Sequence, residues 1–237
     1  MKWYQELGYE ENPFSVNPKK NLDKLYMMDN IVEETAYRIK AGSVFVIEGK
    51  KGTGKTSVLM TAVRKFGGRK KVVYIDSERL DKELNITHVL QERYGFVGRI
   101  LNKKPKDMIV LMDNVHELSN KNTERLKYYF DQNYIRSIIF TTTDYNDVKF
   151  SDSLRDRIGT RIAKTPEITD GDAVDIIKAR IGDDDILNEE LIRKIFQYSD
   201  NSPGIMLENC TKVAKKALEK GRFRVQMIDL KELRKNE

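Results

Sequence analysis

A single cysteine, Cys210, stands among 237 residues. One thiol cannot build a disulfide framework or a thiolate zinc site within the chain. Its stretch, Met206 to Glu219, is helical in pattern, which predicts a small buried apolar residue there. Two histidines, His88 and His116, are too few to suggest a metal centre. No apolar run approaches the length of a membrane span. The start, Met1-Lys2-Trp3-Tyr4-Gln5, lacks the apolar stretch and cleavage site of a secretory leader, so the cytoplasm is the expected compartment. There is no internal repeat and no low-complexity tract. What the chain has in quantity is charge, 34% of residues against 39% hydrophobic, which is lean but enough for a packed core. The balance of 43 basic against 37 acidic residues leaves +6. That excess permits an acidic partner such as nucleic acid, and a solvated lysine-rich surface explains it equally well.

The most informative stretch is Gly49-Lys50-Lys51-Gly52-Thr53-Gly54-Lys55-Thr56, followed by Ser57. It reads G-x-x-x-x-G-K-[ST], a phosphate-binding loop. Its context agrees: Ser43 to Ile47 is a short β-branched run suited to a buried parallel strand, and Ser57 to Val63 continues as a helix. Glycines let the backbone turn its N–H groups inward, and the helix start adds its positive dipole end. Lys55 is expected to reach the β- and γ-phosphates of ATP, and the Thr56 hydroxyl to ligate Mg²⁺.

Further strands are expected at 71–76, 108–113, 137–142 and 160–164, alternating with helices at 29–41, 85–102, 122–133 and 154–158. Asp29 is the expected cap of its helix and Gly42 its stop. This order predicts an α/β fold, a parallel sheet of five strands covered on both faces in three layers. After Pro166 three helical patterns follow, 169–181, 188–198 and 206–219, predicting a small all-helical domain. The expected division is 1–165 and 166–237.

Met108 to Asp113 is apolar until its last residue, the form of a Walker B strand, so Asp113 is expected to hold the Mg²⁺ shell beside Thr56. Many related ATPases follow that aspartate with a glutamate that polarises water. Here Asn114 follows, and an amide cannot accept the proton. Glu117 and Glu78 are the candidate substitutes, Glu78 at the place where RecA-like ATPases carry their glutamate.

The whole order resembles the AAA+ ATPases, in the branch of the origin-recognition initiators, the ExeA secretion ATPases and the transposition ATPases MuB and TniB. The resemblance implies a P-loop NTPase core with a helical lid, binding ATP and Mg²⁺ between them. Leu7 to Phe14 is similar to the ExeA opening segment, which places Pro13 and Phe14 near the adenine. Ile138 to Asp144 resembles the sensor 1 strand, with Thr143 fitting best and Thr142 next. Leu154 to Arg161 resembles the arginine-finger stretch, so Arg161 or Arg157 would reach the ATP of a neighbouring subunit. That implies a homo- or hetero-oligomer. The lid's usual sensor 2 arginine is replaced by Gly204 in Asn201-Ser202-Pro203-Gly204. The winged helix that follows the lid in origin initiators has no counterpart before Glu237.

The expectation is a slow ATPase or ATP-dependent switch in DNA replication, recombination or mobile-element maintenance, acting through partner proteins, with DNA or a DNA-bound protein among them. The alternatives are a non-hydrolysing structural subunit and a RecA-like ATPase using Glu78. The basic stretch from Lys212 to Lys235 either touches nucleic acid or is a solvated helix face.

Overall fold

The computed structural model describes residues 2–20, 22, 25–67, 71–79 and 106–236. The helix expected over 85–102, with His88, lies outside them. Contacts divide the chain into two compact units: Met27–Lys50 with Gly54–Pro166, and Met1–Tyr26 with Lys51–Thr53 and Glu167–Glu237.

The first unit is a five-stranded sheet: β1 Val44–Glu48, β2 Val72–Asp76, β3 Met108–Asp113, β4 Ile135–Thr142 and β5 Ile162–Lys164. The order is β2-β3-β4-β1-β5, and every pairing is parallel. β1, β3 and most of β4 are buried along their length, which is why they read as unbroken apolar runs. Alternate residues serve opposite faces. Val44, Val46, Val110, Met112, Ile138 and Phe140 pack with Leu126, Leu154 and Ile158 of α4 (Asn120–Asp131) and α5 (Asp152–Ile158). The other face meets α2 (Asp29–Ala41) and α3 (Lys55–Phe66), which also pack on each other. Gly42 ends α2 at φ 69°, the left-handed conformation its lack of a Cβ permits. Asp29 is the first helical residue rather than the cap; Met28 holds the cap position without a side-chain bond. An aspartate in the first turn still opposes the dipole.

The second unit is helical: α1 Trp3–Glu6, α6 Asp170–Ile181, α7 Glu189–Gln197 and α8 Pro203–Glu219, ending in a 3₁₀ segment, Met227–Asn236. Ser119, Ser151, Thr169, Asn188 and Ser202 cap α4 to α8, each accepting a first-turn N–H. The helix expected from Met206 starts three residues earlier because Pro203 sits at its first turn, where a missing N–H costs nothing. Cys210 is fully buried in this unit's core, and burial pushes its thiol pKa up.

The first 26 residues group with these helices, whereas the sequence placed them with the sheet. Phe14 is 1% exposed inside the helical core, with Trp3, Leu7, Tyr9 and Tyr26 packed against it. Arg180 of α6 donates to the carbonyls of Pro13 (3.2 Å) and Ser15 (3.1 Å).

Candidate nucleotide site

The loop between β1 and α3 is built by backbone constraints that only glycine meets. Gly49 N–H donates to Thr142 O (3.1 Å), while Thr165 N–H donates to Glu48 O (2.8 Å). A Cβ on Gly49 would stand 2.0 Å from Thr165 Oγ1. Gly52 and Gly54 take φ of 81° and 96°. Gly54 then opens α3 with no side-chain cap and no acidic residue in the first turn. Among the described helices, α3 alone has neither. Its first-turn N–H groups and dipole therefore present an anion-binding end.

Lys55 is 6% exposed, and its Nζ donates to the carbonyls of Gly49 (2.5 Å) and Lys50 (2.8 Å). Burial pushes its pKa down to about 8, and Asp113 pulls it back up. Lys50, Lys51 and Gly52 are exposed, while Thr53 and Ser57 are partly buried. The loop tip belongs by its contacts to the helical unit. Ser202 Oγ donates to Lys51 O (2.9 Å) and Gly204 N–H to Gly52 O (3.0 Å). A Cβ on Gly204 would lie 2.8 Å from Gly52 Cα. This close backbone approach is a physical reason for glycine where the resemblance expects arginine.

Asp113 closes β3 at 1% exposure. It accepts from Thr56 Oγ1 (2.7 Å), Tyr74 OH (2.8 Å) and Thr141 Oγ1. Tyr74 pairs with Leu111, two residues before Asp113 on the same face, so its ring reaches along the strand. Thr56 and Asp113 supply oxygen donors that suit a hard cation keeping most of its waters. Among the described residues no group of three or more His, Cys, Asp or Glu could hold a metal ion.

Asn114 sits at φ 55°, ψ 53°, a left-handed conformation that asparagine tolerates better than most residues. Its N–H donates to Thr141 Oγ1 (3.1 Å) and its Nδ2 to Asp76 Oδ1 (3.3 Å).

Other expected residues stand elsewhere. Thr143 is exposed, one residue past β4, and Thr142 Oγ1 donates to Asp144 O (2.9 Å). The threonine that reaches Asp113 is Thr141: strand alternation turns Thr142 to the opposite face, and Thr143 lies past the end of β4. Arg157 donates to Asp131 (3.1 Å), and Arg161 to the carbonyls of Val44 (3.3 Å) and Arg157. Both are engaged within the chain. Arg155 lies over the Tyr145 ring and donates to Val148 O and Phe150 O, a packing role. Phe14 has its ring in the helical core and Pro13 is buried, so the ring is not available to stack on a base. Glu78 is exposed, with Oε1 3.9 Å from His116 Nε2. The Glu117 side chain lies outside the described residues. Sequence reasoning missed Tyr74, Asp76, Thr141 and Thr165. Only the alternation of polar residues at strand ends hinted at them.

A family model described as an AAA domain matches residues 41–164, just over half of the 237 residues. The chain belongs to the AAA family. Solved structures share its fold, an α/β P-loop NTPase with a five-stranded parallel sheet. Cdc6p from Pyrobaculum aerophilum superposes with a TM-score of 0.77 at 14% identity, over 96% of this chain and 71% of that one. The Aeropyrum pernix Orc1 protein, solved in complex with DNA, gives 0.73 at 15%, over 94% and 68%. Domain III of the Thermotoga maritima replication initiation protein DnaA gives 0.67 at 19%, over 94% and 98%. A search of curated proteins found no match. No helix among the described residues is long and apolar enough to cross a membrane.

Proposed function

We propose that this AAA protein binds ATP with Mg²⁺ at Gly49–Ser57 and hydrolyses it slowly, as a switch in DNA replication, recombination or mobile-element maintenance worked through partner proteins. The observation that carries this is the uncapped start of α3 beside a buried Lys55, with Thr56 and Asp113 bonded at 2.7 Å.

In this reading the N–H groups of 52–57 cradle the phosphates, and Lys55 exchanges its carbonyl partners for phosphate oxygens. Thr56 and Asp113 would hold the Mg²⁺, which when bound neutralises charge on the β- and γ-oxygens. Tyr74 and Thr141 hold the Asp113 carboxylate in place. Slow turnover is argued from Asn114, whose amide cannot take a proton, and from Gly204 at the sensor 2 position. Assembly into an oligomer would have to draw Arg157 from Asp131 or Arg161 from its carbonyls before either could act in trans. The DNA connection rests on the Orc1, Cdc6p and DnaA likeness alone.

A non-hydrolysing structural subunit is the second reading, favoured by an amide, Asn114, following Asp113 and by Gly204 standing where the resemblance expects arginine. The exposed Glu78, facing His116, disfavours a RecA-like mechanism; Glu78→Gln is expected to leave turnover unchanged. Titration with a fluorescent ATP analogue and Mg²⁺, with Lys55→Ala as control, tests the binding. Steady-state phosphate release separates slow enzyme from structural subunit. Equal affinity of Lys55→Ala and wild type would refute the site.

A further inference from the structure

The sheet ends carry three carboxylates among the described residues: Glu48 on β1, Asp76 on β2 and Asp113 on β3. Glu48 is paired with Lys164 at 3.0 Å and accepts Tyr145 N–H. Asp113 accepts three hydroxyls, from Thr56, Tyr74 and Thr141. Asp76 stands directly opposite Asp113 in the β2–β3 register, so both side chains leave the sheet on the same face, about 5 Å apart at their backbones. It is partly buried, and its Oδ1 accepts both the Asn114 amide and the Glu78 N–H, each at 3.3 Å.

The amide that cannot polarise water is therefore hydrogen-bonded to a carboxylate that can. We infer that Asp76 is the catalytic carboxylate of this site, with Asn114 as the residue that positions it. The carboxylate stands at the end of β2, and the amide on the residue that follows β3. Asn114 suits the second role because its left-handed backbone aims Nδ2 across the strand gap while its N–H is fixed on Thr141.

This rests on the nucleotide-binding reading above. Asp76 accepts a hydrogen bond from the attacking water. The water oxygen bonds to the γ-phosphorus as the bond to the bridging oxygen breaks, its electron pair leaving on ADP. The water proton passes to the Asp76 carboxylate and on to solvent.

The test uses the full chain with Asp76→Asn, Asn114→Asp and the exchanged pair Asp76→Asn/Asn114→Asp. Three readouts are taken: affinity for a fluorescent ATP analogue with Mg²⁺, melting temperature with and without ATP, and single-turnover phosphate release. Asp76→Asn should keep ATP affinity within about threefold and its ATP-induced thermal shift, while phosphate release falls about 100-fold, in the range for loss of a proton acceptor. The exchanged pair should recover release to within about tenfold of wild type, which a merely structural role would not produce. Unchanged release in Asp76→Asn overturns the inference and leaves the nucleotide site standing. So does loss of affinity and release together, or wild type that binds ATP without hydrolysing it. Wild type that fails to bind ATP defeats the underlying reading as well.

Discussion

Replacing Thr141 by valine removes one oxygen from the centre of the site and leaves shape nearly constant. Thr141 is 0% exposed; its hydroxyl donates to Asp113 and accepts the Asn114 N–H at 3.1 Å. A hydrogen bond to an ionised acceptor contributes about 1.5–3 kcal/mol, and a buried N–H left unpaired costs about 1–3 kcal/mol. The extra buried methyl returns about 1 kcal/mol. The net expectation is a loss of about 3 kcal/mol, localised to β3 and β4. Because the chain has two units, a global melting curve would blur this. Hydrogen exchange of the β3 and β4 amides reads it directly: 3 kcal/mol corresponds to exchange faster by about 150-fold through opening of the sheet. Acceleration of less than about threefold would refute the claim that Thr141 anchors Asp113 and Asn114.

Gly49→Ala should cost about 1–3 kcal/mol and weaken nucleotide binding, because the added carbon meets Thr165 at 2.0 Å and 2.8 Å; denaturation and a nucleotide titration check both. Arg180→Ala should release residues 2–20 from the helical unit, seen as earlier proteolytic cleavage there and altered Trp3 fluorescence; an unchanged pattern would contradict the anchoring to Pro13 and Ser15. Asp229, with its side chain fully buried against Arg222 and Lys220, has its carboxyl lowered to about 2, chiefly by the Arg222 hydrogen bond. Its depressed value means its stabilisation is complete above the unfolded pKa of about 3.9 and is lost as pH falls through 2. Asp229→Asn should therefore lower stability at neutral pH by about 1–2 kcal/mol, allowing for screening at the exposed Lys220, and flatten the acid limb between those values. Trp3 fluorescence across that pH range reads it.

The loop was legible because its chemistry is local: three glycines, Lys55 and Thr56 in fixed order between a strand and a helix. The central strands were legible because burial on both faces leaves continuous apolar runs such as Met108 to Met112. Helix starts at Thr169 and Asn188 were legible from the helical pattern that follows each, and in the structure both side chains cap their helices. What stayed hidden depends on register and on long-range packing. Nothing local says that Tyr74 reaches Asp113, or that Thr141 rather than Thr143 faces it. These follow from which residues stand opposite across two strand pairs. Phe14 was placed near a base by likeness, yet its ring fills the helical core, a choice made by partners more than 150 residues away, such as Arg180. Asn114 read as a lost glutamate. Its left-handed backbone and its bond to Asp76 were visible only in three dimensions.

In the proposed function the Gly49–Thr56 loop grips a triphosphate with its backbone and Lys55. Calorimetric titration of the full chain with ATP, in Mg²⁺ and in EDTA, tests it most directly. One saturable site per chain is expected, weakened in EDTA and abolished by Lys55→Ala. A flat titration, or heat identical in Lys55→Ala, would contradict it.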